Sequence, residues 1–239
     1  MHYLSIILVC PQLAENIGSV ARSMSNFALY DLRIVSPRNG WPPSKEAFAT
    51  ATKASDILNK AKIFHNLNDA ILDLNFIIAA TARSRHMVKK SISPKKIVEH
   101  CNKRFSKDTR IGILFGRENN GLSNEELSLA EVISIIPTDQ GNSSLNLAQA
   151  VTIFAYEFFL YGKIKNSQNI NLCNKEEFNN LFDLLISSLE SRDYFKEDNT
   201  KGSIIYNIRN TFLKSLLTSQ EIRAFIGIIK NLTKYKELL

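Results

Sequence analysis

Residues Ile136 to Glu157, IPTDQGNSSLNLAQAVTIFAYE, run from an apolar strand end through Pro137 and a polar, small-residue loop into a helix. Leu145, Leu147, Ala148, Ala150, Val151, Phe154, Ala155 and Phe158 surround most of that helix, which makes it buried rather than one-sided. Ser143, Ser144 and Asn146 crowd polar side chains at the start of a buried helix. They can act as an ordinary N-cap, or the free N–H groups there can hold an anion or a polar ligand.

Working outward, the same alternation repeats. Upstream lie the buried apolar runs YLSIILVC (Tyr3 to Cys10), LRIVS (Leu32 to Ser36), NFIIAAT (Asn75 to Thr81), RIGILFG (Arg110 to Gly116) and EVISII (Glu131 to Ile136). Short continuous apolar runs suit strands buried on both faces of a parallel sheet. Between them, ENIGSVARSMSNFAL sets Ile17, Val20, Ala21, Met24, Phe27 and Ala28 on one helical face and Arg22 opposite, with Ser19 and Asn26. Further helical patches are expected from Ala47 to Leu58, from Asn66 and from Pro94 to Cys101, with AKIF as a short strand and ARSRHMVKK as a basic loop. Ser123 and Glu126 have the spacing of a capping box, which predicts a helix start at Asn124. The pattern specifies an α/β domain with a mostly parallel sheet.

Near Gly162 the composition shifts to the polar, Asn-rich KIKNSQNINLCN, read as a linker over 163–174. The remainder is purely helical. Asn174 with Glu177 and Thr218 with Glu221 form capping pairs, and three apolar stripes follow Phe178, Ile204 and Ile222. The expected organisation is therefore an α/β domain over 1–162, the linker, and a helical extension over 175–239, in which Arg209, Lys214, Arg223, Lys230, Lys234 and Lys236 keep the charge basic.

Hydrophobic residues make up 44% of the 239 and charged residues 22%, enough for a real core. Thirty Lys and Arg against 23 Asp and Glu give a net charge of +7, which suits a polyanionic partner, most simply nucleic acid. Cys10, Cys101 and Cys173 lie far apart in no CxxC pairing, so neither a disulfide framework nor a zinc site is implied, and a reducing cytosol fits. The run Tyr3 to Cys10 is too short to span a membrane and lacks a basic flank, and a cytoplasmic location is expected.

The chain has no dinucleotide fingerprint, P-loop, GxSxG or HExxH, and its four His residues show no ligand spacing, so no metal is expected. What remains is a set of polar loops, each beyond the C-terminal end of a buried strand: Thr81-Ala82-Arg83, Gly116 through Ser123, and Ile136 through Asn146. Open α/β sheets bind ligands at that edge. Gly116 and Gly121 would let the backbone approach a ligand or turn with positive φ. Asn16 and Arg22 follow the first strand on the same side.

NIGSVAR (Asn16 to Arg22), FGRENNGLS (Phe115 to Ser123) and IP…SSLNLAQAV…YE (Ile136 to Glu157) together resemble the three motifs of the SpoU/TrmH branch of the SPOUT RNA ribose methyltransferases. ATKASDIL (Ala51 to Leu58), TARSR (Thr81 to Arg85) and the helical extension are further similar to the TrmJ group of that branch, so the likeness covers nearly the whole chain. Ala14 and Ala28 stand where relatives often carry Gly.

The resemblance implies a deep C-terminal trefoil knot, S-adenosylmethionine as cofactor, a homodimer whose active site draws on both chains, and a tRNA substrate methylated on a ribose 2′-hydroxyl at the first anticodon-loop nucleotide, position 32. The alternatives are another tRNA position or ribosomal RNA, and a catalytically silent RNA-binding protein. Carried over residue by residue, the cofactor contacts are Thr81, Ala82, Arg83, Gly116, Glu118, Ile136, Ser144, Leu145 and Asn146, and the catalytic residues are Arg22, Asn16 and Ser144. Glu118 is alternatively structural, pairing with Arg117 or closing its loop.

Overall fold

A computed structural model describes residues 3–82, 91–139, 141, 143–161, 170–196 and 198–234. Among these residues seven strands form one sheet in which every pairing is parallel, in the order β3-β2-β1-β6-β4-β7-β5. They are β1 Tyr3–Val9, β2 Asp31–Val35, β3 Lys62–Phe64, β4 Phe76–Ala80, β5 Ser91–Ile92, β6 Arg110–Phe115 and β7 Val132–Ser134. The central strands β1, β4 and β6 are apolar on both faces, and both faces are covered. One side carries α1 Ala14–Asn26, α2 Lys45–Ala51, α3 Ser55–Asn59, α5 Pro94–Arg104 and α7 Leu147–Tyr161, packed over Ile6, Leu8, Ile78 and Ile113. The other carries, among the described residues, the short α4 Leu67–Ile71 and α6 Asn124–Ser128, over Ile7, Ile77 and Leu114.

Local sequence explains most boundaries. Asn66 caps α4 by accepting from Asp69 N at 2.9 Å, and Ser123 and Glu126 close the anticipated capping box of α6. The expected helix Ala47 to Leu58 is broken: Thr52 takes φ 53°, and α2 gives way to a 3₁₀ turn and then α3. Strand β5 was not anticipated from sequence; two residues are too short for a periodic signal, and it is held by pairing with β7. Helix α1 ends at Asn26, before Phe27 and Ala28, and Ala28 adopts φ 54°. That left-handed conformation favours Gly, which gives the Ala at this position a physical cost.

The helical extension comprises α8 Lys175–Glu190, α9 Asp198–Lys214 and α10 Ser219–Lys234 around their own core of Phe178, Leu181, Phe182, Leu213, Leu217 and Ile222. Both capping pairs form: Asn174 accepts from Glu177 N at 2.8 Å, and Thr218 Oγ1 accepts from Glu221 N at 3.3 Å. Arg209 does not join a basic face. It lies over the Phe182 ring at 4.1 Å, and burial lowers its pKa, with Asp183 opposing.

The extension docks on the N-terminal edge of the sheet. Lys175 N donates to Leu74 O at 2.9 Å, Glu176 N to Leu72 O at 3.1 Å, and Asn75 Nδ2 to Leu172 O at 3.0 Å. The Lys175 ammonium pairs with Glu131, and their side chains are 5% and 7% exposed. Glu131 also accepts from Ile77 N at 2.6 Å, so this ion pair ties α8 to the starts of β4 and β7.

Candidate active site

Strands β4, β6 and β7 run parallel, so their C-terminal ends open on one edge, opposite the docked helices. A cavity of about 230 Å³ lies there. Its walls are Ala80, Thr81 and Ala82 after β4; Phe115 through Gly121 after β6; Ser134 and Ile136 after β7; and Ser143, Ser144, Leu145, Leu147 and Ala150 leading into α7. Thr81 N donates to Ser134 O at 3.1 Å and fixes the first loop against the third.

The middle loop folds back on itself. Gly121 N donates to Arg117 O at 2.9 Å, and Gly121 takes φ 65°. A Cβ at Gly116 would lie 2.2 Å from Gly121 C and 2.3 Å from Leu122 N, so only Gly lets the two limbs meet. The expected approach at Gly116 is thus to its own loop. Arg117 points away from Glu118. It makes a bidentate pair with Glu126 at 3.0 and 3.1 Å and donates to Cys10 Sγ at 3.2 Å, and the Glu126 hydrogen bond raises its pKa.

Glu118 instead closes the site. Helix α1 starts from Leu13, which has no side chain able to cap it. The Glu118 carboxylate supplies the cap from 105 residues away: Oε2 accepts from Gln12 N at 3.0 Å, and Oε1 accepts from Leu13 N at 3.2 Å and from Asn16 Nδ2 at 2.9 Å. A carboxylate at a helix N-terminus also meets the favourable end of the helix dipole. Asn16, 8% exposed, then accepts from Asn146 Nδ2 at 2.9 Å. Asn146 in turn accepts from Ala148 N at 2.8 Å and donates its own N–H to Gln149 Oε1 at 3.2 Å. Glu118, Asn16 and Asn146 therefore form one relay that joins the loop after β6, helix α1 and the start of α7.

This divides the polar cluster that opens α7. Asn146 is the cap, whereas Ser143 and Ser144 are exposed on the cavity wall. Of the residues carried over as cofactor contacts, Thr81, Ala82, Gly116, Glu118, Ile136, Ser144 and Leu145 line the cavity, Asn146 reaches it only through the relay, and Arg83 lies outside the described residues. Arg22 stands apart. It is exposed, on a face of α1 turned away from Asn16, with no ion pair or hydrogen bond among the described residues. One residue on, Ser23 Oγ meets Thr152 Oγ1 at 2.7 Å and ties α1 to α7. Phe115, Leu147 and Ala150, which are apolar, and Ser134, a lone polar residue inside an apolar run, also wall the cavity; their position at strand and helix ends was the one available cue.

Residues 3–156 match the model of the SpoU rRNA Methylase family. The chain belongs to that family. Among individual relatives, it is 30% identical to the tRNA (cytidine/uridine-2′-O-)-methyltransferase TrmJ of Salmonella typhimurium, over 95% of each chain. It is 37% identical to the tRNA (cytidine-2′-O-)-methyltransferase TrmJ of Methanocaldococcus jannaschii, over 68% of this chain and 70% of that one. The crystal structure of TrmJ from Zymomonas mobilis (Z. mobilis ZM4) superposes with a TM-score of 0.86 at 35% identity, covering 95% of this chain and 98% of the other.

The SpoU family uses S-adenosylmethionine, and the cavity fits such a group. It combines apolar walls from Phe115, Ile136, Leu145 and Leu147 with the Ser143 and Ser144 hydroxyls and the backbone of the loops that follow three strands. Among the described residues no group of His, Cys, Asp and Glu could hold a metal ion, and no helix is long and apolar enough to cross a membrane.

Proposed function

We propose that the chain transfers a methyl group from S-adenosylmethionine to the ribose 2′-hydroxyl of tRNA at the first anticodon-loop nucleotide, position 32. The observation that carries this reading is the relay Glu118–Asn16–Asn146, which joins all three family motifs around a single cavity. The names of the full-length relatives, the basic charge and the presence of the helical extension support tRNA as the substrate.

Thr81, Ala82, Gly116, Ile136 and Leu145 would hold the cofactor through loop backbone and apolar contact. Bound there, it supplies a methyl group on a positively charged sulfonium that becomes neutral on transfer. The chain must then hold the ribose oxygen in line, about 3 Å from that methyl, and handle its proton. Arg22 clamps the phosphate next to the target ribose and steadies the charge that develops on the 2′-oxygen. A guanidinium holds its proton tightly and offers no acceptor, so it is a poor base, and the adjacent RNA phosphate or water accepts the proton. Asn16 holds the loops in register, and the exposed Ser144 hydroxyl positions the ribose.

Arg22 does not line the cavity of its own chain, which supports a homodimer in which one protomer's Arg22 serves its partner's cavity. Tyr156 and Leu160, 47% and 45% exposed on α7, offer an apolar face for that contact. The reading also includes a trefoil knot in the C-terminal part of the 1–162 unit, the division into units 1–162 and 175–239 around a 163–174 linker, and a cytoplasmic location.

Methyl transfer to tRNA with the product located by mass spectrometry tests the reading, and Arg22→Ala tests the mechanism. That variant should lose transfer by about 100-fold or more while cofactor affinity by calorimetry is unchanged. Lost cofactor affinity would remove Arg22 from the proposed role, and methylation at a different nucleotide would displace position 32.

A further inference from the structure

Helix α5 has one buried and one basic face. Pro94, Ile97, Val98 and Cys101 are buried against the sheet and α7, while Lys95, Lys96, Lys103 and Arg104 are exposed on the opposite arc, with Lys107 just beyond the helix end. At 100° per residue, Lys96 and Lys103 fall within about 20° of each other, and Lys95 to Arg104 covers about 14 Å of axis. No ion pair is made by any of these five cations among the described residues. Glu99 lies on the same arc and Asp108 follows Lys107, so the five cations outnumber the neighbouring carboxylates by three, a surplus that a polyanion would neutralise.

The position of this face matters as much as its charge. Strand β5 leads directly into α5 on the cavity edge of the sheet, and Ile92 O accepts from both Ser134 Oγ at 2.8 Å and Ile135 N at 3.2 Å. Ser134 and Ile136 wall the cavity. The basic arc therefore starts beside the cavity and runs down the outer edge of the sheet. Charge is also distributed unevenly along the chain. Residues 1–169 carry 20 Lys and Arg against 14 Asp and Glu, and residues 170–239 carry 10 against 9.

We propose that the exposed face of α5 is a docking track for the sugar–phosphate backbone of the RNA substrate, entered from the cavity end. This rests on the tRNA reading above. Such contacts add affinity without reading sequence, because phosphates present the same charge at every nucleotide.

The test is the full-length chain carrying Lys95→Gln, Lys96→Gln, Lys103→Gln and Arg104→Gln, measured for tRNA binding across a salt series. Each lost phosphate contact flattens the slope of log affinity against log salt by about 0.7 to 0.9, so a change of about 3 is expected, with tRNA binding at least about tenfold weaker. Cofactor affinity, and the transfer rate at saturating tRNA, should match the parent. An unchanged slope and affinity would overturn the docking track while leaving tRNA methylation intact. A comparison variant, Arg223→Gln, Lys230→Gln and Lys234→Gln on α10, guards against a simple net-charge effect. An equal loss per charge removed there would also overturn the assignment to α5. A parent chain that neither binds nor methylates tRNA would overturn the proposed function itself.

Discussion

The α/β unit and the helical extension are held in opposite ways. Around the cavity, order depends on a few polar side chains reaching across more than 100 residues: Glu118 to Asn16, and Asn16 to Asn146. In the extension, order comes from apolar packing among Phe178, Leu181, Phe182, Leu213 and Ile222, and its polar groups are less well served. Asn210 is 3% exposed, and among the described residues neither atom of its amide has a hydrogen-bond partner, nor has the buried Tyr206 hydroxyl. The α/β unit spends its polar groups on positioning loops, and the extension carries two buried ones without a partner among the described residues. Such a difference is expected when one unit builds a site and the other is attached at the far edge of the sheet.

The attachment is where the comparison can be broken most forcefully. Lys175→Met preserves much of the side-chain volume but leaves Glu131 buried without its cation. Removing one partner of a buried pair costs roughly 3 to 5 kcal/mol, because the remaining charge is uncompensated. Chemical denaturation should show that loss, with the extension melting ahead of the sheet. Cofactor affinity should hold, since the pair lies at the opposite edge from the cavity. A variant whose cofactor binding falls with its stability would mean that the two units are not separable in this way.

Asn210→Leu works in the other direction. Replacing an unpartnered buried amide by an apolar side chain of similar volume removes a desolvation penalty of about 1 to 3 kcal/mol. The extension should become more stable by about that amount in denaturant, with no effect on transfer. A destabilised variant would show that the amide has a role the fold does not reveal.

Much of the fold could be read from sequence because its signals are local. Five of the seven strands follow from continuous apolar runs, Lys62–Phe64 from the short AKIF, and the boxes at Ser123, Asn174 and Thr218 set helix starts to the residue. The misses have non-local causes. Strand β5 exists only through pairing, the break at Thr52 is a backbone conformation that any residue pattern could hide, and Arg209 reads as basic surface until Phe182 from another helix covers it. The site divides along the same line. Its loops were legible as polar segments after strands, and the motif resemblance supplied Asn16, Glu118 and Asn146. Their mutual bonds were not, because sequence spacing carries no information about contacts 102 and 130 residues apart. Arg117 and Glu118 show the consequence: adjacency suggested that they pair, yet Arg117 turns to Glu126 and Glu118 to α1.

Glu118→Gln sharpens the comparison on the site side, with the smallest expected effect. The amide keeps the size of the side chain and one acceptor oxygen, but Glu118 now satisfies three donors with two oxygens. In the variant an NH₂ group must face Gln12 N or the Leu13 and Asn16 pair, so at least one donor loses its partner, and the charge at the start of α1 is gone. Charge-assisted bonds contribute about 1.5 to 3 kcal/mol, and solvent at this half-buried group offsets part of it, leaving about 1 to 1.5 kcal/mol, or close to tenfold. If the relay holds the cavity loops in register, that loss should appear in cofactor affinity by calorimetry, with global stability reduced by no more than the same amount. A variant that loses stability but binds cofactor as the parent does would make Glu118 a helix cap alone, and would leave the three loops held by backbone contacts such as Thr81 to Ser134.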